Sequence, residues 1–267
     1  MDNTPQYSPE EFFPFLENLP KGESGQAVIC GGQAVNLLAA LFLTEKQIET
    51  ILGEIGSATS SDMDIMITPD FQKRISAAAN KSKEFSLQTF ADCRQPIQFA
   101  IMLGEDVGLP DSRIDVLRSV KGIHTQKDRV FEDALELDGV PYQVMNPATM
   151  LIAKAENCAT LEQDSPTQKR NDINHLRLLI LIVHNYLREL VNHCRPDFKD
   201  EQRGIIRSLK KIRAASKKTN FKKGMKLAKV NLLDAIPIKQ IQKSNLETLR
   251  KYLNNTFLEV SDPPDSL

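Results

Sequence analysis

Tryptophan is absent from this sequence, and aromatic residues make up only 6% of its 267 positions. Long apolar runs are missing as well. The longest, residues 176–183, contains Arg177 and is far shorter than the roughly 20 apolar residues that span a bilayer. The first residues carry neither the basic segment nor the apolar stretch of a secretory signal. We therefore expect a cytoplasmic protein with no membrane partner.

Cysteine is scarce and scattered. The four cysteines are Cys30, Cys93, Cys158 and Cys194, and no two of them have a CxxC spacing. This argues against a zinc site and against a disulfide framework. The hydrophobic fraction of 41% and the charged fraction of 26% are typical of a globular protein. The chain is long enough for one large domain or two ordinary ones.

The net charge is only −1, but its distribution along the chain is uneven. The segment 195–230 contains thirteen Lys and Arg residues against three acids, a net charge of +10, which leaves −11 for the rest of the chain. Such an asymmetry favours a basic region that binds a polyanion. The scarcity of aromatic residues there fits contact with a phosphate backbone better than base stacking, so we predict RNA, with tRNA as one candidate. A solvated helical face is the alternative.

Two acids interrupt the β-prone apolar run 60–67. Side chains alternate between the two faces of a strand, so Asp62 and Asp64 should project one way and Met63 and Ile65 the other. Two carboxylates held this close repel each other, and a shared cation relieves the repulsion. The run therefore predicts a divalent-metal seat. The alternative is a solvent-facing strand end that carries two acids without a function.

A glycine turn precedes these acids, and a third acid follows them. The strand pattern of residues 26–30 ends at Gly31-Gly32, and a helical pattern follows over 33–43. Such a turn lets the backbone approach a ligand, and the helix N-terminus offers unpaired N–H groups to a phosphate. Asp115 lies inside another predicted strand, 113–120. Three carboxylates and a phosphate-binding turn are what phosphoryl transfer with two metal ions requires.

The remaining patterns predict the architecture. Strands are predicted over 86–90 and 97–103, and Asp138-Gly139 predicts a β-hairpin within 135–145. After Asn146 the patterns are helical throughout, over 148–161, 168–192, 199–215, 220–230 and 238–254. We therefore predict an α/β (α+β) fold: a catalytic domain over 1–146 with a mixed β-sheet flanked by helices, and an all-helical domain over 147–258. A flexible tail over 259–267 would follow.

In this order, the motifs resemble those of the polymerase-beta-like nucleotidyltransferase superfamily. Its pattern is a Gly-Gly or Gly-Ser helix opening, an hDhDh strand and a later hDh strand, where h is a hydrophobic residue. The later strand is here Ile114-Asp115-Val116. Within it the chain looks most like the abortive-infection AbiEii type, a group that includes toxins of toxin–antitoxin pairs. The resemblance spans roughly residues 25–185 and extends to the helices that contain Lys154 and Asp172. It implies a nucleotidyltransferase fold.

The resemblance implies a role for each matching residue. Asp62, Asp64 and Asp115 would be the catalytic carboxylates and the ligands of Mg²⁺ or Mn²⁺, with Asp115 also a candidate general base. The nucleotide-binding residues would be Gly31, Gly32, Ser61, Lys154 and Asp172. This sequence departs from the family pattern at Gln33, where a small hydroxyl residue is usual, and in the long spacing between the glycines and the acids.

Together these features predict an enzyme that transfers a nucleotide from an NTP, such as ATP, to an acceptor hydroxyl with release of pyrophosphate. The acceptor would be RNA, and the protein would act as the toxin of a pair with an antitoxin partner. One alternative is a different acceptor, namely a small-molecule or protein hydroxyl. Another is a module of the same fold that binds a nucleotide or a protein without turnover.

Overall fold

The computed structural model describes residues 7–18, 25–53, 60, 62–79, 87–89, 98–103, 109, 112–165, 168–169 and 171–258. Ser61 and the tail 259–267 lie outside these residues. Within them the fold is a mixed α/β arrangement, as predicted. Six described strands form one sheet in the order β3-β4-β5-β2-β1-β6. The strands are β1 (Ala27–Cys30), β2 (Asp62–Ile67), β3 (Leu87–Thr89), β4 (Gln98–Leu103), β5 (Arg113–Leu117) and β6 (Gln143–Val144).

The sheet is mixed because its central strands pair in both senses. Strand β2 pairs in parallel with β5 and antiparallel with β1. Strand β1 also pairs in parallel with β6, whereas β4 pairs antiparallel with β3 and with β5. All four residues of β1 are buried, which is the pattern of a strand covered on both faces.

Helices cover the sheet and continue beyond it. Their bounds are α1 (Phe13–Asn18), α2 (Gly31–Phe42), α3 (Glu45–Leu52), α4 (Pro69–Ala79), α5 (Pro147–Thr160), α6 (Asp172–His193), α7 (Lys199–Ser216), α8 (Thr219–Ala228), α9 (Ile238–Lys243) and α10 (Glu247–Leu253). Helix α5 begins where the Asn146 side chain accepts a hydrogen bond from the Ala148 N–H, and Pro147 occupies its first turn. No helix in the described ranges is long and apolar enough to cross a bilayer.

Three predicted elements differ from the structure. The helix predicted over 168–192 begins only at Asp172, because residues 168–169 pair with residues 164–165 as the short strands β8 and β7. The helix predicted over 238–254 is divided at Ser244, whose hydroxyl accepts a hydrogen bond from the Leu246 N–H and so competes with the helical pattern. The predicted hairpin is reduced to a single antiparallel bridge between Leu135 and Val144.

The hydrophobic core is continuous across residue 146. One buried apolar cluster contains residues of β1 and β2 together with residues of α5 to α8. Helix α2 packs against β2 and against α6, so the sheet and the later helices share this cluster. The two-domain division at Asn146 stays a prediction. What matters for the site is that α5 and α6 are packed against the helix that follows Gly31-Gly32.

Candidate active site

Strands β2 and β5 bring the three predicted acids onto one face of the sheet. The strands lie side by side in parallel, and their register places Asp64 opposite Asp115 and Asp62 opposite Arg113. Paired residues of neighbouring strands point to the same face. Asp62 and Asp115 are therefore held together although 53 positions separate them in the sequence.

Arg113 lies between two of these carboxylates. Its Nη2 is 3.2 Å from Asp62 Oδ2, and its Nε is 3.2 Å from Asp115 Oδ1. The amide of Gln98 on β4 donates a hydrogen bond of 2.7 Å to the same Asp115 oxygen. Sequence reasoning missed both residues. Arg113 could have been found, because it precedes Asp115 by two positions in a strand and must share its face. Gln98 could not, because its contact depends on how β4 pairs with β5.

Gly31 lies directly against Asp64. Its φ is 71°, in the left-handed region, and a Cβ built at this position would lie 1.8 Å from Asp64 Oδ2. Only glycine fits such a backbone conformation and such a contact. Helix α2 begins at this glycine, two residues before the predicted start. The glycine turn and the acidic strand therefore form one site.

Gly32 lies beside Ser60 and His175. A Cβ at Gly32 would be 3.0 Å from Ser60 Cβ and 3.2 Å from His175 Cε1. The Ser60 hydroxyl accepts a hydrogen bond of 3.3 Å from the N–H of Asp62. Sequence reasoning did not place His175 at this site. A usable signal was that His175 lies one turn after Asp172 on α6.

Gln33, the residue that departs from the family pattern, is completely buried. Its Nε2 donates hydrogen bonds of 2.9 Å to the carbonyl oxygens of Tyr7 and Ser60. The side chain thus connects the N-terminal segment to the residue just before the acidic strand. The Gln33 amide therefore binds backbone and is not directed at a ligand.

Lys154 and Asp172 form a buried ion pair. Lys154 Nζ on α5 is 2.7 Å from Asp172 Oδ1 at the start of α6, and their side chains are 7% and 2% exposed. Burial raises the pKa of Asp64 and of Cys30, and the Lys154 charge opposes this rise, so the ammonium group lies close enough to act on the acidic strand. The lysine is therefore held by Asp172 and does not extend towards solvent.

Two of these carboxylates, Asp64 and Asp115, have a raised pKa and so hold protons more tightly than ordinary acids. Burial, followed by the repulsion from Asp115, raises the pKa of Asp64 to about 7. Burial also raises the pKa of Asp115, although Arg113 and the hydrogen bond from Gln98 oppose this. Because burial is the largest cause, Asp64 is partly protonated at neutral pH although the charges of Lys154 and Arg113 favour its ionised form. A further positive charge placed there would stabilise the ionised form.

The donor chemistry of the three acids suits a divalent cation, because hard cations such as Mg²⁺ prefer carboxylate oxygens. Arg113 already supplies a positive charge to Asp62 and Asp115 from the same side of the sheet. In the part of the chain that the structure describes, no group of three or more His, Cys, Asp or Glu side chains converges closely enough to form a ready-made metal site. Binding of a cation would therefore require these side chains to rearrange around it.

Comparison of the chain with protein-family models, with curated proteins and with solved structures found no match. The nucleotidyltransferase resemblance accordingly stays a prediction from the motifs. What supports a function is the geometry of the acids, the glycine turn and the buried ion pair.

Proposed function

We propose that this chain is a metal-dependent nucleotidyltransferase with the corresponding fold, which joins a nucleotide from an NTP to an acceptor hydroxyl. The observation that carries the proposal is the register of β2 and β5, which places Asp64 opposite Asp115, with Gly31 in contact with Asp64. The reaction needs a site for a metal cation and a site for the negatively charged triphosphate, and an acidic cluster directly beside a helix N-terminus offers both. Carboxylates attract the cation that accompanies an NTP, and the N–H groups of the helix attract its phosphates.

In this proposal Asp62, Asp64 and Asp115 hold the metal ions. Bound Mg²⁺ or Mn²⁺ would neutralise the triphosphate and lower the pKa of the acceptor hydroxyl. Asp115 is also the candidate general base, which accepts the proton of that hydroxyl. The hydroxyl oxygen forms a bond to the α-phosphorus. The bond between the α-phosphorus and its bridging oxygen breaks, and pyrophosphate leaves with the electron pair.

Five further residues are assigned to the nucleotide in this proposal: Gly31, Gly32, Ser61, Lys154 and Asp172. Gly31 and Gly32 expose the first N–H groups of α2 to the phosphates. Lys154 contributes its charge from within the ion pair with Asp172, where it stabilises the ionised form of Asp64. Ser61 is a proposed nucleotide-binding residue on its position in the sequence alone.

The direct test is transfer of label from each of the four radiolabelled NTPs to total cellular RNA or protein, with Mg²⁺ or Mn²⁺ present. Asp62→Asn and Asp64→Asn should each abolish transfer, because each removes a charged metal ligand. Asp70→Asn is the matched control, since Asp70 is exposed on α4 and pairs with Lys73. Circular dichroism would verify that all three variants are folded. Full transfer by either site variant would overturn the assignment of the acids.

A second candidate is a module of this fold that binds nucleotide without turnover. The contacts of Arg113 with Asp62 and Asp115 favour it, because the guanidinium competes with a metal ion for the same oxygens. Nucleotide binding measured by calorimetry, without transfer to RNA, protein or a small hydroxyl compound, would support this candidate. If Arg113 is the competitor, Arg113→Met should bind Mn²⁺ more tightly than the wild type does. Weaker or unchanged Mn²⁺ binding would contradict the competition.

RNA is the acceptor that we propose, because the basic segment 195–230 suits a polyanion. A small-molecule or protein hydroxyl remains the alternative acceptor, and the same labelling experiment distinguishes them by where the label appears. A role as the toxin of a pair with an antitoxin stays a prediction from the sequence resemblance.

A further inference from the structure

The basic segment 195–230 is not one uniform charged surface. Several of its cations are already engaged within the chain. Arg195 pairs with Glu201, Arg203 with Asp200, and the nearly buried Lys211 with Asp133. Lys223 donates a hydrogen bond of 2.9 Å to the carbonyl of Ala159. These cations contribute to the fold, so the surface available to a polyanion must be sought among the others.

Four of the other cations form a row along α8, which we call the lysine row: Lys218, Lys222, Lys226 and Lys229. All four are exposed. Within the described residues, none of them has an ion pair or a hydrogen bond from its ammonium group. Lys218 is the N-cap of α8 and Lys229 is its C-cap, with Lys222 and Lys226 one turn apart between them. A four-residue step along a helix is about 6 Å, similar to the step between neighbouring phosphates of one nucleic-acid strand.

Helix α8, which carries this row, packs tightly against the core and against α5. Its apolar side, including Phe221 and Met225, is buried. Gly224 packs so closely on α5 that a Cβ there would lie 2.1 Å from the carbonyl oxygen of Ala155. Ala155 is the residue directly after Lys154, whose ammonium group belongs to the candidate active site. The lysine row is therefore carried by a helix that packs on the same helix as a candidate site residue.

The chemistry of the row favours a phosphate backbone over the other polyanionic partners. The apolar side of α8 is already buried in the core, which leaves Leu227 as the exposed apolar side chain on this helix. The helix therefore offers little apolar surface that could insert into a membrane. Phe221, the aromatic residue of α8, is 2% exposed and cannot stack on a base. Binding without stacking suits a folded RNA, in which the bases are paired and the phosphates face outwards.

We infer that the lysine row binds the phosphate backbone of a folded RNA and holds it near the candidate active site. The inference rests on the proposed function, because RNA is then the molecule that supplies the acceptor hydroxyl. Since the contacts are with phosphates, the binding should depend little on RNA sequence and strongly on salt.

The test measures binding of a fluorescein-labelled 20-base-pair RNA hairpin by anisotropy, without NTP, at several salt concentrations. Each lysine that contacts a phosphate steepens the plot of log affinity against log salt by about 0.9 for a duplex. Neutralising all four lysines to Gln should therefore flatten the slope by about 3 to 4 and weaken binding at least about ten-fold in 50 mM salt. Lys239→Gln with Lys243→Gln is the matched control, because both residues are exposed on α9 outside the row.

One further variant separates binding from folding. Lys229 has a φ of 55°, in the left-handed region that disfavours a side chain. Lys229→Gly should therefore raise the midpoint of thermal unfolding, by about 2–4 °C, while it weakens RNA binding. A variant that is more stable yet binds RNA less well cannot owe its lost affinity to unfolding.

The outcomes distinguish this inference from the proposed function. If the quadruple variant binds the hairpin with wild-type affinity and salt slope, the lysine row is not the RNA surface. Tighter binding to a DNA duplex of the same sequence, or to vesicles of phosphatidylserine and phosphatidylcholine, would also overturn the inference. In any of these cases Asp62→Asn can still abolish label transfer, so the proposed function would stand. Conversely, hairpin binding that depends on the row would survive a failure of all four NTPs to react.

Discussion

Replacing Lys154 by methionine tests whether the buried ion pair is needed for the fold as well as for the site. Methionine keeps most of the side-chain volume and removes the charge that lies 2.7 Å from the buried carboxylate of Asp172. Removing one partner of a buried pair costs about 3–5 kcal/mol. Domains are stable by about 5–15 kcal/mol, so Lys154→Met should lose a large part of the free energy of unfolding.

The measurement is urea unfolding followed by circular dichroism, with an exposed pair as the control. Lys73 lies 3.0 Å from Asp70, and their side chains are 79% and 82% exposed. Because solvent screens such a pair, Lys73→Met should change the free energy of unfolding by less than about 1 kcal/mol. If Lys154→Met costs no more than Lys73→Met, the reasoning about the buried pair is wrong.

A double variant isolates the interaction itself. Asp172→Asn removes the buried carboxylate charge that pairs with Lys154 in the wild type, so the double variant should be more stable than Lys154→Met alone. The free energies of the two single variants should therefore not add, and the difference measures the coupling between the two side chains. Additive losses would mean that the two residues act independently.

Three further predictions concern glycines and the pH dependence of the fold. Gly31→Ala should destabilise the fold by more than about 2 kcal/mol, because it combines a left-handed φ with a clash at Asp64 Oδ2. Gly25 also has a positive φ, 85°, but a Cβ built there would meet no atom within 4 Å. Thermal unfolding of Gly25→Ala should therefore show only the backbone cost of about 1–2 kcal/mol. Equal losses of stability in Gly25→Ala and Gly31→Ala would refute the clash at Gly31. In metal-free buffer, stability should fall as pH rises from about 4 to 7, because the unfolded chain releases the Asp64 proton near its ordinary pKa while the folded chain, with a pKa of about 7, retains it. Asp64→Asn should remove this part of the pH dependence in chelator-treated samples. An unchanged dependence of stability on pH would show that other groups cause it. Gly204→Ala, inside α7 with no atom closer than 3.8 Å to the new Cβ, should raise the free energy of unfolding by about 0.5–1 kcal/mol, and a loss would show an unforeseen contact.

Local patterns predicted much of the architecture. The alternation of side chains in residues 62–67 is enough to place Asp62 and Asp64 on one face of a strand. The strands predicted over 97–103 and 113–120 are present as 98–103 and 113–117. Such predictions succeed because the period of a strand or a helix is a property of neighbouring residues. They fail at Ser244 and at residues 168–169, where a side-chain hydrogen bond or a short strand pair ends the periodic pattern.

The sequence by itself determined the chemical character of this protein: the acids in apolar strands, the glycine turn before a helix, and the basic segment near the C-terminus. Only the tertiary structure decided which of these groups meet. The pairing of β2 with β5 places Asp115 opposite Asp64 and Arg113 opposite Asp62. The packing of the later helices leaves the lysine row exposed, whereas Lys211 and Lys223 bind other groups of the chain. The physical reason is that contacts between distant residues depend on strand register and helix packing, which the whole chain determines when it buries its apolar surface.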